Sequence, residues 1–196
     1  IDKYFIEDNF GIKNNKIDII EGWYGEAVDG NGDDFKALYD FILDNDLSTQ
    51  QNYQKVLDWI DIDNFIDYQL TEIFVANYDW PVNNMKCWRE SKPNGKYRWI
   101  FYDGDASLQD LSFNGFANAL STSDDNWPTN AHSTLFLRKL LENYEFKSKF
   151  FNRLAFLLST SFNSDNLYLY INESLSNIKH EVENQMNRFR LIQSIS

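Results

Sequence analysis

Cysteine, histidine and positive charge are all scarce in this chain, and each shortage removes a class of protein. Cys87 is the sole cysteine among 196 residues, so neither an internal disulfide nor a cysteine metal cluster can form. Its place in an expected strand suits a buried or half-buried thiol better than a nucleophile. Lys and Arg number 18 against 30 Asp and Glu, a formal net charge of −12. Such a body repels nucleic acid and anionic membrane surfaces. No apolar run approaches the roughly 20 residues that cross a bilayer. The two histidines, His132 and His180, lie too far apart in sequence to suggest a metal pair. G-x-S-x-G is absent, as is any Gly-rich phosphate loop, so a serine hydrolase and a P-loop enzyme find no support. No signal peptide is visible, and a start at Ile1 without Met reads as a trimmed piece of a longer protein.

What the chain has is apolar and aromatic mass. Hydrophobic residues make up 43% and aromatics 17%, enough for one folded domain with a sizeable core. Residues 1–21 read as a short helical turn, a break at Gly11 and a short strand, and 22–32 as a polar, Gly-rich connection. From Asp33 the apolar period becomes helical through Phe35, Leu38, Tyr39, Ile42 and Leu43, with Asp33 or Asp34 as cap. Ser48 or Thr49 opens a second helix through Ile60, and Asp61 or Asp63 a third. The third buries Phe65, Ile66, Leu70, Ile73 and Phe74 and leads straight into Tyr78 and Asp79. Residues 108–130 form a long loop with a short helix, its polar centre at Asp124, Asp125, Asn126, Trp127 and Pro128. Helices then follow from Ser133 or Thr134, from Glu145 to Ser159, and from Ser164 to about Ile195. The expected class is α+β, predominantly helical, with one central β-hairpin.

The stretch Asp79, Trp80, Pro81, Val82, Asn83, Asn84 places an Asp five residues before an Asn. A hairpin then leads to Asp103, Gly104 and Asp105. This order suits a divalent-metal site that handles phosphate: Asp79 orients a hydroxyl, while Asn84, Asp103 and Asp105 offer oxygens to the metal. Mg²⁺ accepts few protein ligands and leaves room for substrate phosphates. Protein kinases use an Asp-x-x-x-x-Asn loop, two strands and a metal-binding Asp in the same order. Asn94-Gly95 is a strong turn signal, and folding there pairs residues whose numbers sum to about 189. Asp105 then falls opposite Asn84, and Asp103 opposite Lys86. Asp and Asn also gather in turns because they hydrogen-bond their own backbone, so a purely structural role stays open.

Other clusters are weaker. Asp29, Gly30, Asn31, Gly32, Asp33 and Asp34 begin like a Ca²⁺ loop, but Asp34 stands where Gly is needed and Asp40 where Glu is needed. A Gly-rich turn before a helix explains them better. Trp80, Trp88, Trp99 and Trp127 beside carboxylates invite a carbohydrate hypothesis, although Trp88 and Trp99 fall on hairpin strands, where aromatic pairs stabilise the sheet. His180 reads as a surface residue, and His132 could approach the site through its loop.

The chain resembles the CotH family of atypical, kinase-like proteins, named for a bacterial spore-coat protein. The resemblance runs through Ile62, Asp63, Asn64, Phe65, Ile66, Asp67 and Tyr68, then Asn77-Tyr78-Asp79-Trp80-Pro81-x-Asn83-Asn84. Trp99-Ile100-Phe101-Tyr102-Asp103-Gly104-Asp105 continues it, followed by Glu145-Phe146-Lys147 and Phe150-Phe151-Asn152-Arg153. The opening Ile1-Asp2-Lys3-Tyr4-Phe5 with Phe10-Gly11 is similar to a segment that follows the family's small lobe. The resemblance implies a kinase-like large lobe over residues 1–196, with 1–32 as the lobe-connecting segment. It implies transfer of the ATP γ-phosphoryl group to Ser or Thr of a protein substrate, outside the cytoplasm, by a monomer using Mg²⁺ or Mn²⁺. Asp79 would orient the hydroxyl, Asn84 and Asp103 would hold the metal, and Asp105 would add a contact. Asn77-Tyr78 replaces the His-Arg of ordinary kinases, and Gly104 stands where a bulky apolar residue is commoner. No strand Lys or Arg for the α- and β-phosphates is evident, so the chain is expected to lack the small lobe and to bind nucleotide poorly by itself. An inactive coat or surface scaffold on the same fold is the alternative.

Overall fold

A computed structural model describes residues 1–13, 16–123, 127 and 129–189. Of the expected polar centre of the long loop, 124–126 and 128 lie outside the described residues, as do 190–195 of the last helix. The fold is α+β and predominantly helical, with one small antiparallel sheet. Two compact units divide the chain, Ile1–Arg153 and Leu154–Ser196.

The first unit opens with α1 (Lys3–Phe10), a full helix rather than a turn. The Asp2 carboxylate caps it by accepting from Phe5 N, and Gly11 ends it at φ 69°. The strands are β1 (Ile17–Glu21), β2 (Glu26–Asp29), β3 (Lys86–Glu90) and β4 (Arg98–Trp99), in the order β2-β1-β3-β4. The connection expected over 22–32 thus contains a strand, and the hairpin is the edge of a larger sheet. The turn between β1 and β2 has glycines at Gly22 and Gly25, both at positive φ, which brings the strands back together within a few residues.

β1 is buried on both faces, and this explains its unbroken apolar reading. Ile17 and Ile19 pack with Ile6 of α1 and Trp88 of β3. On the opposite face Asp18 lies directly across from Arg89. The Asp18 carboxylate accepts from Arg89 Nε at 2.9 Å, Ser91 Oγ at 2.7 Å and Asn31 N at 3.0 Å. Arg89 also pairs with Asp34. Buried charge survives only when fully paired in this way.

α2 (Asp33–Asp44) and α3 (Gln50–Trp59) follow. The N-cap of α2 is Gly32, without a side-chain cap, so Asp33 and Asp34 sit in its first turn and not at the cap. Asp29 pairs with Lys3 and Asp34 with Arg89; the would-be Ca²⁺ loop is a helix-initiating turn. Thr49 and Asp61 cap α3 and α4 (Ile62–Phe74) as the sequence suggests. Phe35 of α2 meets Tyr97 edge-on at 5.1 Å and stacks on Phe136 of α6 (Leu135–Leu140) at 5.6 Å. Phe65 of α4 meets Trp99 at 4.8 Å. These rings form the centre of the core, where indoles and phenyl rings contribute most of the buried area. Thr134 stands at the N-cap of α6 without capping it; its hydroxyl donates to Ser121 O at 2.7 Å.

α5 (Gly115–Ala119) packs against α4 so closely that a Cβ at Gly115 would lie 2.5 Å from Ile73 O. α7 (Tyr144–Ser159) runs across the unit boundary, and Phe146 and Phe150 in its first half are fully buried. Arg153 grips Asp67 with two bonds of 2.6 and 2.9 Å.

The second unit holds the end of α7, a turn, and α8 (Ser164–Phe189). Asn163 Oδ1 accepts from Asn166 N at 2.9 Å, opening the helix. Leu169, Ile171, Leu175 and Ile178 are exposed. Among the described residues no helix is long and apolar enough to cross a membrane.

Candidate functional site

The site is built where α4 stops. Ala76 enters the left-handed region at φ 51°, Ala76 N bonds to Ile73 O at 3.2 Å, and Asn77 N reaches back to Glu72 O at 3.3 Å. This pair of bonds is the Schellman arrangement, which satisfies the orphan carbonyls of a helix end. The helix therefore does not run straight into Asp79; a tight reversal separates them. Asn77 is buried, and its side chain works in both directions. Its Nδ2 donates to Glu72 Oε2 at 2.9 Å, and its Oδ1 accepts from Asp79 N at 3.1 Å.

Beyond Asp79 the Trp80-Pro81 peptide is cis. The Trp80 indole turns inward and donates to the Tyr68 hydroxyl at 2.9 Å. Asn118 Nδ2 donates to Trp80 O at 2.6 Å, which ties α5 to the loop. Trp80 is therefore core and offers no open wall to a sugar, whereas Trp127 is 43% exposed. Trp88 and Trp99 are buried as the strand pattern suggests.

The second half of the site arrives from β4. Cys87 pairs with Trp99 and Trp88 with Arg98, and Ile100 N bonds to Lys86 O at 3.0 Å. The register is thus shifted by three residues from the one expected for an Asn94-Gly95 turn: Lys86 faces Ile100, not Asp103. The cause is the turn itself. Lys92 N bonds to Glu90 O and Gly95 N to Lys92 O, so the chain reverses around Pro93 instead of between Asn94 and Gly95. Asp103, not Asp105, consequently reaches Asn84. Asn84 Nδ2 donates to Asp79 Oδ2 at 2.9 Å and to Asp103 O at 3.2 Å. Two further bonds, Tyr78 N to Ala106 O and Leu108 N to Val75 O, clamp the segments together.

Backbone strain marks the same place. Among the described residues, the non-glycine positions at positive φ are Ala76, Asn84, Asp103 and Leu108. All four lie in these two touching segments. Ala76 and Leu108 each cost of the order of 1–2 kcal/mol there, Asn84 and Asp103 less, and such strain collects where geometry serves a function.

Glu72 is the electrostatic anomaly. It is 1% exposed, and its Oε1 has no hydrogen-bond partner among the described residues. Burial pushes its carboxyl up to about 7, against the pull of Asn77 and Tyr68. Burial also holds the Tyr68 hydroxyl and the Cys87 thiol well above their ordinary values. Asp103 and Asp105 are exposed. Among the described residues no three His, Cys, Asp or Glu side chains gather to hold a metal. A cation here would need an Asn84 oxygen beside the two acids; that hard, all-oxygen set fits Mg²⁺ or Mn²⁺.

A cleft of about 490 Å³ opens beside Asn84, walled by Tyr102 and by Glu21, Trp23 and Tyr24 of the β1–β2 hairpin. Next to it Lys86 Nζ stands 3.6 Å from Glu21 Oε1 and 5.0 Å from the centre of the Tyr102 ring. His132 stacks on Trp23 at 4.8 Å, and its Nδ1 lies 3.0 Å from the Tyr39 hydroxyl. It also lines a second cavity with Trp80 and Pro81. His180 is exposed, as its helix position suggests. Sequence reasoning missed Glu72 and Asn118, and it gave Asn77 no role beyond its place in the motif. A usable signal existed for the first: Glu72 falls seven residues after Phe65, on the stripe that Phe65 buries.

A family model described as CotH kinase protein matches residues 11–195. The chain belongs to the CotH kinase family. No curated protein and no solved structure matches it.

Proposed function

We propose that this chain forms the large lobe of an ATP-dependent phosphotransferase that phosphorylates Ser or Thr of a protein substrate. One observation carries the reading: the Asn84 amide is held at once by the Asp79 carboxylate and the Asp103 carbonyl. The bond to the Asp103 carbonyl brings the backbone of the second acidic segment up to the loop, which supports a shared site for Asp79, Asn84 and Asp103. In this reading residues 1–32 connect the two lobes, and the protein works outside the cytoplasm, as family membership suggests.

Asp79 accepts a hydrogen bond from the substrate hydroxyl, aligns it for attack on the γ-phosphorus and receives its proton as the bond forms. The β–γ bridging bond of ATP breaks and ADP leaves. Asn84, Asp103 and Asp105 would hold divalent ions, which when bound neutralise the charge on the phosphate oxygens. Catalysis of this kind is positioning plus electrostatics, so losing one acidic group is severe.

The test is radiolabelled phosphate transfer by the full-length protein, with Mg²⁺ and with Mn²⁺. Asp103→Ala is expected to lower the rate by about a thousandfold, the scale of a lost charge-stabilising group. Transfer that persists undiminished in Asp103→Ala sinks the site. No transfer with either metal favours the coat or surface scaffold instead.

A further inference from the structure

We infer that Glu72 is a positioning residue for Asp79. Its carboxylate, fixed at the floor of the loop, sets the Asn77 amide so that the amide oxygen meets the Asp79 backbone N–H. This inference rests on the reading of Asp79 as the group that orients the acceptor hydroxyl.

A lone buried carboxylate needs a reason to be where it is. Glu72 is almost fully enclosed, and one of its oxygens goes unsatisfied among the described residues. Such a group costs stability, and a Gln or Leu of similar volume would fill the space more cheaply. Its other oxygen accepts from the Asn77 Nδ2, and the Tyr68 hydroxyl adds a weaker pull. An amide has two faces, a donor and an acceptor, and nothing in its shape tells them apart. A carboxylate accepts only, so it selects the NH₂ side of Asn77 and turns the carbonyl side toward Asp79 N. Were Asn77 flipped, its NH₂ would confront the Asp79 N–H, donor against donor.

Orientation then passes along a continuous series of bonds. Asn77 N is tied to Glu72 O and its side chain to the Glu72 carboxylate, so residues 72 and 77 are clamped twice. Asp79 hangs from Asn77 by its N–H, and its carboxylate accepts from Asn84, whose amide meets the Asp103 carbonyl. The Asn77 to Glu72 bond is buried, whereas the Asn84 to Asp103 bond is exposed. The fixed end of the series is thus in the core and the working end in solvent, as a preorganised site requires.

Amide hydrogen exchange of peptides covering 77–84, in the full-length protein without ATP or metal, reads this directly. Glu72→Ala and Asn77→Ala are each expected to speed exchange of that segment about tenfold, the scale of one lost hydrogen bond. The double variant should exchange no faster than either single one, because both cut the same series. Glu72→Gln still offers Asn77 an oxygen but no longer excludes a donor, so it should protect the segment better than Glu72→Ala and less well than Glu72. In all variants the β1 and β3 amides should stay protected. In the transfer assay, Glu72→Ala should lower kcat about tenfold and leave the KM for ATP unchanged. Unaltered exchange of 77–84 in both single variants overturns the inference. So do effects that add in the double variant and spread to the sheet, since those describe an ordinary core residue. Exchange needs no activity, so even an inactive protein reports whether Glu72 holds the loop. Conversely, an unaffected Asp103→Ala defeats the transfer reading alone.

Discussion

Glu72 meets its charge in a place that resists charge, and pH decides how much that costs. Its carboxyl is ordinarily half-protonated near 4.5 and is raised to about 7 in the folded chain. The folded state therefore binds the proton more tightly. Its stabilising contribution is fully present below pH 4.5 and is lost as pH rises through 7. Tyr68 on its own helix and Tyr102 from the segment after β4, both raised, stay neutral throughout this window. Glu72→Gln removes the titration. Comparing urea midpoints at pH 5 and pH 8 should show the variant gaining up to about 3 kcal/mol on the native chain at the higher pH. Equal shifts at both pH values would show that Glu72 is not the group responsible. In the sequence, the candidates Asp79, Asn84, Asp103 and Asp105 were legible as a spaced set because turn chemistry and the hairpin between them expose it. Glu72 was not, since its role comes from enclosure, and no local pattern reports that.

Helix α4 illustrates how an element can be legible in its body and obscure at its end. The apolar stripe through Phe65, Ile66 and Leu70 and the Asp61 cap were readable from spacing. Its termination was not, because the left-handed residue is Ala76 and not the Gly that normally signals it. Ala76→Gly should relieve this strain and stabilise the chain by about 1 kcal/mol, raising the thermal midpoint by a few degrees. A lower midpoint would mean that Ala76's methyl group contributes packing that outweighs its backbone cost. The hairpin shows a related failure. Asn94-Gly95 correctly marks a reversal, but the bonds from Lys92 and Gly95 move its centre to Pro93. A three-residue shift then exchanges which acid meets Asn84. β2 escaped notice altogether: Glu26, Ala27, Val28 and Asp29 carry no strong strand pattern and depend on pairing with β1.

At the scale of the whole molecule, the sheet joins parts of the chain that sequence reading treats as separate. β3 lies between β1 and β4, and its partnership with β1 closes a loop of many tens of residues. Such pairing costs much chain entropy before any contact repays it. The helical class was legible because helices are local; the sheet order was not, because it is a property of distant segments.

That arrangement places Cys87, the chain's lone thiol, opposite Ile20 on one side and Trp99 on the other, with no exposed surface. The protein thereby carries its own stopwatch. A thiol-modifying reagent can reach this sulfur only after the structure around β3 has opened, and burial further suppresses the reactive thiolate. Under native conditions labelling should be slower than for a free cysteine peptide by at least about a thousandfold, and it should level off as reagent is raised. The plateau rate is the rate of the opening that uncovers Cys87, readable by mass without any introduced probe. Immediate labelling of the folded protein would place Cys87 on a frayed edge instead of in the closed interior.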